Sequence, residues 1–364
     1  MNLGLRSISS LFLGVFLGGC DSKPSKPGTD STAGGGGVAT ASASAKAGQS
    51  TNATVTIHAF FDLPRTNLTE GLSGTAFEPA TRTLYALQDH RLNIVPLVAS
   101  PNYRTFTLGT PIPLTGRPEQ PWDGEGLARF AGGFIAITHE TRGKIERFDM
   151  TGKFLDSVPI SSRFTDHAIG NLGLESLTIS PSGRFLFTAN EQALQTDGLL
   201  ATKSHGTTIR IHQRELATGA DRQFAYQTEP VGAGFLPGVM GVSELAAISD
   251  QELLVLERGY QPVFGNTVRI FRTDLANGSR VDALSSLTNS PPVLAKTLVI
   301  DLATLPPSGA TNPSPQPNPI LDNYEALAIG PRMADGRRLL FVTSDDNGST
   351  NQVARVLVLA VPGL

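Results

Sequence analysis

Residues 175–191 read ESLTISPSGRFLFTANE: an acid, a short alternating strand, a turn on Pro181-Ser182-Gly183-Arg184, and a β-rich return that closes on a second acid. The same order recurs at 125–140 (EGLARFAGGFIAITHE), 244–257 (ELAAISDQELLVLE) and 325–345 (EALAIGPRMADGRRLLFVTSD). A further copy at 73–89 (SGTAFEPATRTLYALQD) opens on Ser73 instead of an acid and closes on Asp89. A repeated supersecondary unit of this kind sets the fold and also decides where the acids gather.

The centre of each copy falls on turn chemistry: Pro79-Ala80-Thr81-Arg82, Ala131-Gly132-Gly133, Gly183, Asp250-Gln251 and Asp335-Gly336. Glycine supplies positive φ there and proline presets its own. Segments 134–138, 185–189 and 253–256 are short, apolar and bounded by breakers, which argues against helix. In an antiparallel pair the start of the first strand lies beside the end of the second. Both acids of a copy therefore share one end of its hairpin.

Further strand patterns follow at 144–148 and 154–160, at 207–212 and 223–228, and at 267–271 and 294–300. The last repeat offers one more, 353–361, and the segment 54–60 is placed to complete that blade and close a ring. Four antiparallel strands per repeat, repeated radially, make a propeller blade. The expected fold is all-β, a β-propeller of four-stranded antiparallel blades, with five repeats visible and a sixth, degenerate blade left open.

The first strand of each blade lines the channel, so Glu125, Glu175, Glu244 and Glu325 are expected at one mouth. Asp89, Glu140, Glu191, Glu257 and Asp345 are expected just outside them. Carboxylates gathered this closely repel one another unless a cation or arginine answers them. One reading is a Ca²⁺ site drawn from Glu125, Glu175, Glu191, Glu244, Glu257, Glu325 and Asp345, since calcium takes six to eight oxygen ligands. Asp123, Asn171, Asn323 and Asp346-Asn347 add neighbouring oxygen donors. The competing reading is an ion-paired rim, because Arg91, Arg142 and Arg258 follow Asp89, Glu140 and Glu257 by one or two residues.

Those arginines could instead hold an anionic group in bidentate geometry. A carboxylate-bound cation beside an arginine is what phosphate-ester hydrolysis needs, so Arg142 and Arg258 are candidate catalytic residues. His139, beside Glu140, is a candidate general acid or base, as is His90 between Asp89 and Arg91. No His-Glu-x-x-His or Cys/His cluster points to zinc. No Gly-x-Ser-x-Gly elbow points to a serine nucleophile, and Ser73 reads as a gap in the acid ring. Gly232-Ala233-Gly234 lacks the third glycine of a dinucleotide site. Trp122 and Tyr324 lie near opening acids, where they either stack on a substrate or pack between blades.

The chain has 364 residues, 40% hydrophobic and 17% charged, with 38 Gly and 25 Pro, which suits many turns around a large core. A net charge of −3 and no basic stripe give no nucleic-acid footprint. Residues 1–20 read as an export signal: Arg6, an apolar run at 11–17, then Leu17-Gly18-Gly19-Cys20. That run is too short to span a bilayer. It resembles the lipobox of bacterial lipoproteins, with Cys20, the only cysteine, as the lipidation site; a plain cleaved signal is the alternative. Asp21 resembles an inner-membrane retention signal, which implies the periplasmic face of a Gram-negative inner membrane. Residues 21–53 read as a flexible Gly/Ser/Ala/Thr tether and 302–322 as a Pro-rich surface loop, leaving 54–364 as the folded domain.

Taken in order, Asp123-Gly124-Glu125-Gly126-Leu127, Asn171-Leu172-Gly173-Leu174-Glu175-Ser176-Leu177, Asn190-Glu191, Leu256-Glu257-Arg258, Asn323-Tyr324-Glu325 and Ser344-Asp345-Asp346-Asn347 span nearly all of 70–350. In these motifs the chain resembles the bacterial phytase-like family, described by esterase-like activity. The resemblance implies a β-propeller and hydrolysis of phosphate or other esters. The Asp-Pro-Ala-x-Trp-type and Asn-Asn-Val-Asp-type segments of alkaline propeller phytases are not found, so phytate is not the expected substrate. Two functions remain in view: a Ca²⁺-dependent hydrolase acting on a small anionic ester, and a non-catalytic propeller that binds a ligand or protein. Either is attached to a membrane through its lipid only.

Overall fold

The structure, a computed structural model, describes residues 54–116, 122–138, 143–232 and 234–364. The expected signal (1–20), the tether (21–53) and the site candidates Cys20, His139, Glu140 and Arg142 lie outside the described residues.

The chain forms a five-bladed β-propeller. Blade I contains β2 (Leu72–Glu78), β3 (Thr83–Gln88), β4 (Asn93–Ala99) and β5 (Phe106–Leu108), with the short β6 (Ile112–Pro113) also paired to β4. Blade II is β7 (Gly124–Phe130), β8 (Gly133–Thr138), β9 (Lys144–Asp149) and β10 (Phe154–Val158). Blade III is β11 (Leu174–Ile179), β12 (Phe185–Asn190), β13 (Thr208–Glu215) and β14 (Asp221–Gln227). Blade IV is β15 (Val239–Ala247), β16 (Glu252–Gln261), β17 (Gly265–Asp274) and β18 (Lys296–Asp301). Blade V is β19 (Tyr324–Arg332), β20 (Arg338–Ser344) and β21 (Arg355–Val361), completed by β1 (Thr56–Asp62) as the sequence predicts. No sixth blade is present among the described residues.

Alternation explains why these strands stack radially. In β20, Leu339 and Phe341 pack toward blade I, while Leu340 and Val342 pack toward blade IV. In β21, Val356, Val358 and Ala360 share the first side, and Leu357, Leu359 and Val361 the second. A strand with both faces buried reads as a continuous apolar run, as Arg355–Val361 does. Each fully buried Leu or Val stabilises the fold by about 1.5–3 kcal/mol, and a core of this kind fills each of the five blade junctions.

The inner strands β2, β7, β11, β15 and β19 meet in a ring. Each carries one bulge at the same height: after Leu72, Gly124, Leu174, Val242 and Tyr324. The inserted residue is Ser73, Glu125, Glu175, Ser243 or Glu325. A bulge re-aims side chains at the end of a strand, and here it does so at all five edges of the channel. In blade II the following residue must be small because its inner strand touches that of blade III: a Cβ on Gly126 would lie 2.5 Å from Leu177 Cβ and 2.7 Å from its backbone nitrogen. Gly126→Ala should therefore cost about 1–3 kcal/mol through forced separation of blades II and III, measured by urea denaturation. Wild-type stability in that variant would refute the close approach.

Candidate functional site

The bulges correct the register read from sequence. Leu72 pairs with Gln88, Leu174 with Asn190, Tyr324 with Ser344, and Val242 with Glu257. The next residue toward the mouth is Asp89, Glu191 or Asp345 in three blades, and Arg258, paired with Gly241, in blade IV. Blade IV thus carries Ser243 where blades II, III and V carry a bulge glutamate, and Arg258 where blades I, III and V carry an acid. Glu244 and Glu257 each sit one position deeper than expected.

Their contacts agree with that displacement. Glu257 is fully buried and accepts hydrogen bonds from Tyr226 Oη (2.6 Å), the Glu229 backbone N–H (2.8 Å) and Lys296 Nζ (2.7 Å). Its carboxylate ties blade III to blade IV and is used up by the protein. Glu244 Oε1 accepts the N–H groups of Leu177 (3.0 Å) and Leu245 (2.9 Å), and Oε2 has no hydrogen-bond partner. Burial holds the Glu244 carboxyl well above the usual carboxylate range despite those two donors. Both carboxylates thus sit at the junction of blades III and IV.

Arg258 reaches the channel. Its Nη2 lies 3.3 Å from Glu325, 3.6 Å from Glu191 and 3.8 Å from Glu175, which come from blades V and III. One guanidinium therefore answers three of the predicted acids. Burial still raises the Glu191 carboxyl, with Arg258 opposing and Glu325 adding to the rise.

The other side of the ring is different. Burial, followed by the charges of Glu175, Asp123, Glu325 and Asp89, pushes Glu125 well above the usual carboxylate range. Burial and then Glu325 and Asp89 do the same to Asp345. Asp89 is pushed up to about 6, because burial exceeds the opposing pull of His90. His90 bridges two carboxylates, 3.2 Å from Asp89 Oδ2 and 3.6 Å from Asp123 Oδ1. Among the described residues no lysine or arginine lies within ion-pair distance of Asp89, Glu125 or Asp345. Arg91 pairs with Glu70 at 3.1 Å, and Arg65 with Asp346 at 3.3 Å.

The serines are ties between blades. Ser73 Oγ donates to Gly124 O (2.5 Å), and Ser243 Oγ to Tyr324 O (3.2 Å). Each acceptor immediately precedes the bulge glutamate of the next blade. Trp122 and Tyr324 are buried in the packing. Trp122 Nε1 donates to Gln88 O (3.1 Å) with its ring against Phe148, and buried Tyr324 Oη donates to Ile320 O (2.8 Å).

The donor set is hard oxygen, which fits calcium and not zinc. As the side chains stand, no three acids or histidines among the described residues converge closely enough to enclose an ion. A cation would have to draw Asp89, Glu125 and Asp345 inward.

Residues 67–348 match the family model described as Phytase-like, esterase-like activity of phytase. No curated protein matches the chain. Among solved structures it is similar to the endo-arabinase from Bacteroides thetaiotaomicron VPI-5482, at 11% identity over 81% of this chain and 95% of that one, with a TM-score of 0.45. It is similar to Myxococcus xanthus glutaminyl cyclase at 15% identity over 85% and 99%, with a TM-score of 0.39. A third likeness is to XC5397 from Xanthomonas campestris, a gluconolactonase, at 15% identity over 81% and 77%, with a TM-score of 0.37. Likenesses at this level carry no argument about chemistry.

Proposed function

This chain belongs to the Phytase-like family, and on that premise we propose that it hydrolyses anionic esters at the acidic mouth of its propeller, with Ca²⁺ as a required ion and Cys20 as its envelope anchor. The observation that supports this most is the uneven charge balance of the ring. Arg258 answers Glu175, Glu191 and Glu325, whereas Asp89, Glu125 and Asp345 face one another's charge.

An anionic ester would be repelled by that second sector as it stands. Asp89, Glu125 and Asp345 are the residues that would hold the cation, with Asp123 close by. When bound, the ion would offset their charge and polarise an ester oxygen. Arg258 stands across the mouth at a fixed position, held by three carboxylates, and would orient the anionic group from the opposite side. Glu175, Glu191 and Glu325 serve this reading as the support that keeps Arg258 in place.

Chelator-treated protein should melt at a lower temperature as pH rises from about 4 to 7. The sign follows from carboxyls whose folded values are raised: their contribution is complete below the unfolded value near 4 and is lost as pH passes the folded value, about 6 for Asp89. Millimolar Ca²⁺ should restore the melting temperature at pH 7 and leave it almost unchanged at pH 4. The absence of any calcium shift at pH 7 would sink the ion. A shift without turnover of 4-nitrophenyl phosphate or a lactone would leave a binding module instead of a hydrolase.

A further inference from the structure

Blade IV stands taller than its neighbours. β16 and β17 run ten residues each, against six or seven for β3, β8, β12 and β20. Beyond Arg258 the pairing continues through Gly259 with Met240 and Tyr260 with Val239, then Gln261 with Gly265 of β17. Three residues past the mouth make a wall about 10 Å high. Strand alternation puts Tyr260 on the same face of β16 as Arg258.

The top of this wall is apolar and held in place. Phe235 and Val263 are 70% and 74% exposed, and Tyr260 and Phe264 about half as much, at 40% and 39%. The Phe235 and Phe264 rings meet edge to face at 5.2 Å. Gln261 is buried: its Nε2 donates to Leu236 O (2.8 Å), and its backbone carbonyl accepts the Phe264 N–H (3.0 Å). Gly234 lies so close that a Cβ there would stand 2.1 Å from Gln261 Oε1. Val263 has φ 72°, a left-handed conformation that a β-branched residue resists. Single exposed apolar side chains need no explanation. A rigidly clamped aromatic pair beside a strained, exposed valine does need one, since such strain clusters at ligand-holding sites.

We propose that this wall binds the aromatic or apolar arm of the ester whose anionic end enters the mouth. The inference deepens the hydrolase reading and rests on it. The carrying observation is continuity: Arg258 and Tyr260 share one strand face, and the Phe235–Phe264 pair caps the same hairpin. A ligand anchored at Arg258 would lie along this surface, and burying two aromatic rings against an aromatic arm favours binding by stacking as well as by area.

The test compares the intact protein with Phe235→Ser/Phe264→Ser, a pair of surface changes whose folding is checked by thermal melting. Hydrolysis of 2-naphthyl phosphate and of methyl phosphate is measured with Ca²⁺ present, and 2-naphthyl phosphonate binding by calorimetry. We expect KM for the naphthyl ester and Kd for the phosphonate to rise about tenfold in the variant, with methyl phosphate unchanged. Turnover with the same KM in both proteins would overturn the wall and leave the hydrolase standing. Phosphonate binding that the variant loses, without turnover of any ester, would support the wall and overturn hydrolysis. Loss of binding to neutral phosphatidylcholine vesicles in the variant, with ester kinetics unchanged, would make the wall a membrane contact and overturn the proposal.

Discussion

Arg258→Ala should destabilise the propeller by about 3–5 kcal/mol at pH 8 and by much less at pH 4. The wild-type guanidinium faces Glu175, Glu191 and Glu325 at 3.3–3.8 Å, with Glu175 and Glu191 almost wholly buried. Removing it leaves three carboxylates in one poorly hydrated place, where like charges push every carboxyl upward. Glu191 already stands above its ordinary value with Arg258 present, so the variant raises it further. A carboxyl with a raised folded value contributes fully below its unfolded value, near 4.5, and loses that contribution as pH climbs through the folded value. The deficit must therefore open between about pH 4.5 and 8. Urea denaturation at both pH values measures it directly. Arg258→Lys should recover only part, because an ammonium point charge does not span three acceptors as a planar guanidinium does. An equal loss at pH 4 and pH 8 would mean that Arg258 matters for packing and not for charge.

That prediction depends on a register the linear sequence conceals. In blade IV the true ends of the hairpin are Ser243 and Arg258. Moving both ends outward by one residue from Glu244 and Glu257 leaves the centre at Asp250-Gln251, so turn chemistry alone cannot detect the slip. The acids at 244 and 257 mimic the repeat while serving the blade junction. What exposes them is the bulge, a two-against-one pairing without a fixed sequence signature. The bulge residue is Ser in two blades and Glu in three, and the residue after it is Gly, Ser, Glu or Ala.

Other features were legible for physical reasons. Period-two patterning and turn residues located every hairpin, and the ring closure by β1 followed from a last repeat one strand short. The outer strands of blade I were harder to see. Pro96 lies inside β4, where proline ordinarily argues against a strand, and β6 has only two residues. Adjacency in sequence also misassigned the arginines. Arg91 stands two residues from Asp89 yet pairs with Glu70, whereas Arg258 pairs across the channel and not with Glu257. Long side chains near a channel axis choose partners by radial geometry, which only the closed ring supplies.

The closed ring itself depends on Arg355, and Arg355→Met should lower the melting temperature by about 10 °C, corresponding to about 4 kcal/mol for a domain of this size. Arg355 is fully buried at the start of β21. Its Nε and Nη2 pair with Asp62 on β1 at 2.5 and 3.0 Å. Nη1 donates to Pro319 O (3.0 Å) and Ile320 O (3.3 Å), and Nη2 to Thr311 O (2.8 Å). One side chain thus fastens the closing strand and the Pro-rich segment to the same blade. Methionine fills comparable volume but leaves the Pro319 and Thr311 carbonyls without donors, while Ile320 O keeps Tyr324 Oη, and each orphaned carbonyl costs about 1–3 kcal/mol if it finds no water. Asp62→Asn separates the two roles. The Asp62 side chain is 39% exposed, so solvent screens its charge, and its loss should cost no more than about 1 kcal/mol. Hydrogen exchange supplies the local readout. In Arg355→Met the amides of β1 should exchange through a lower-energy opening than those of β12, because only β1 relies on this fastening to stay in the ring. Unchanged β1 protection, or an Asp62→Asn loss as large as that of Arg355→Met, would overturn the account and shift ring closure onto the apolar faces of β1 and β21 alone.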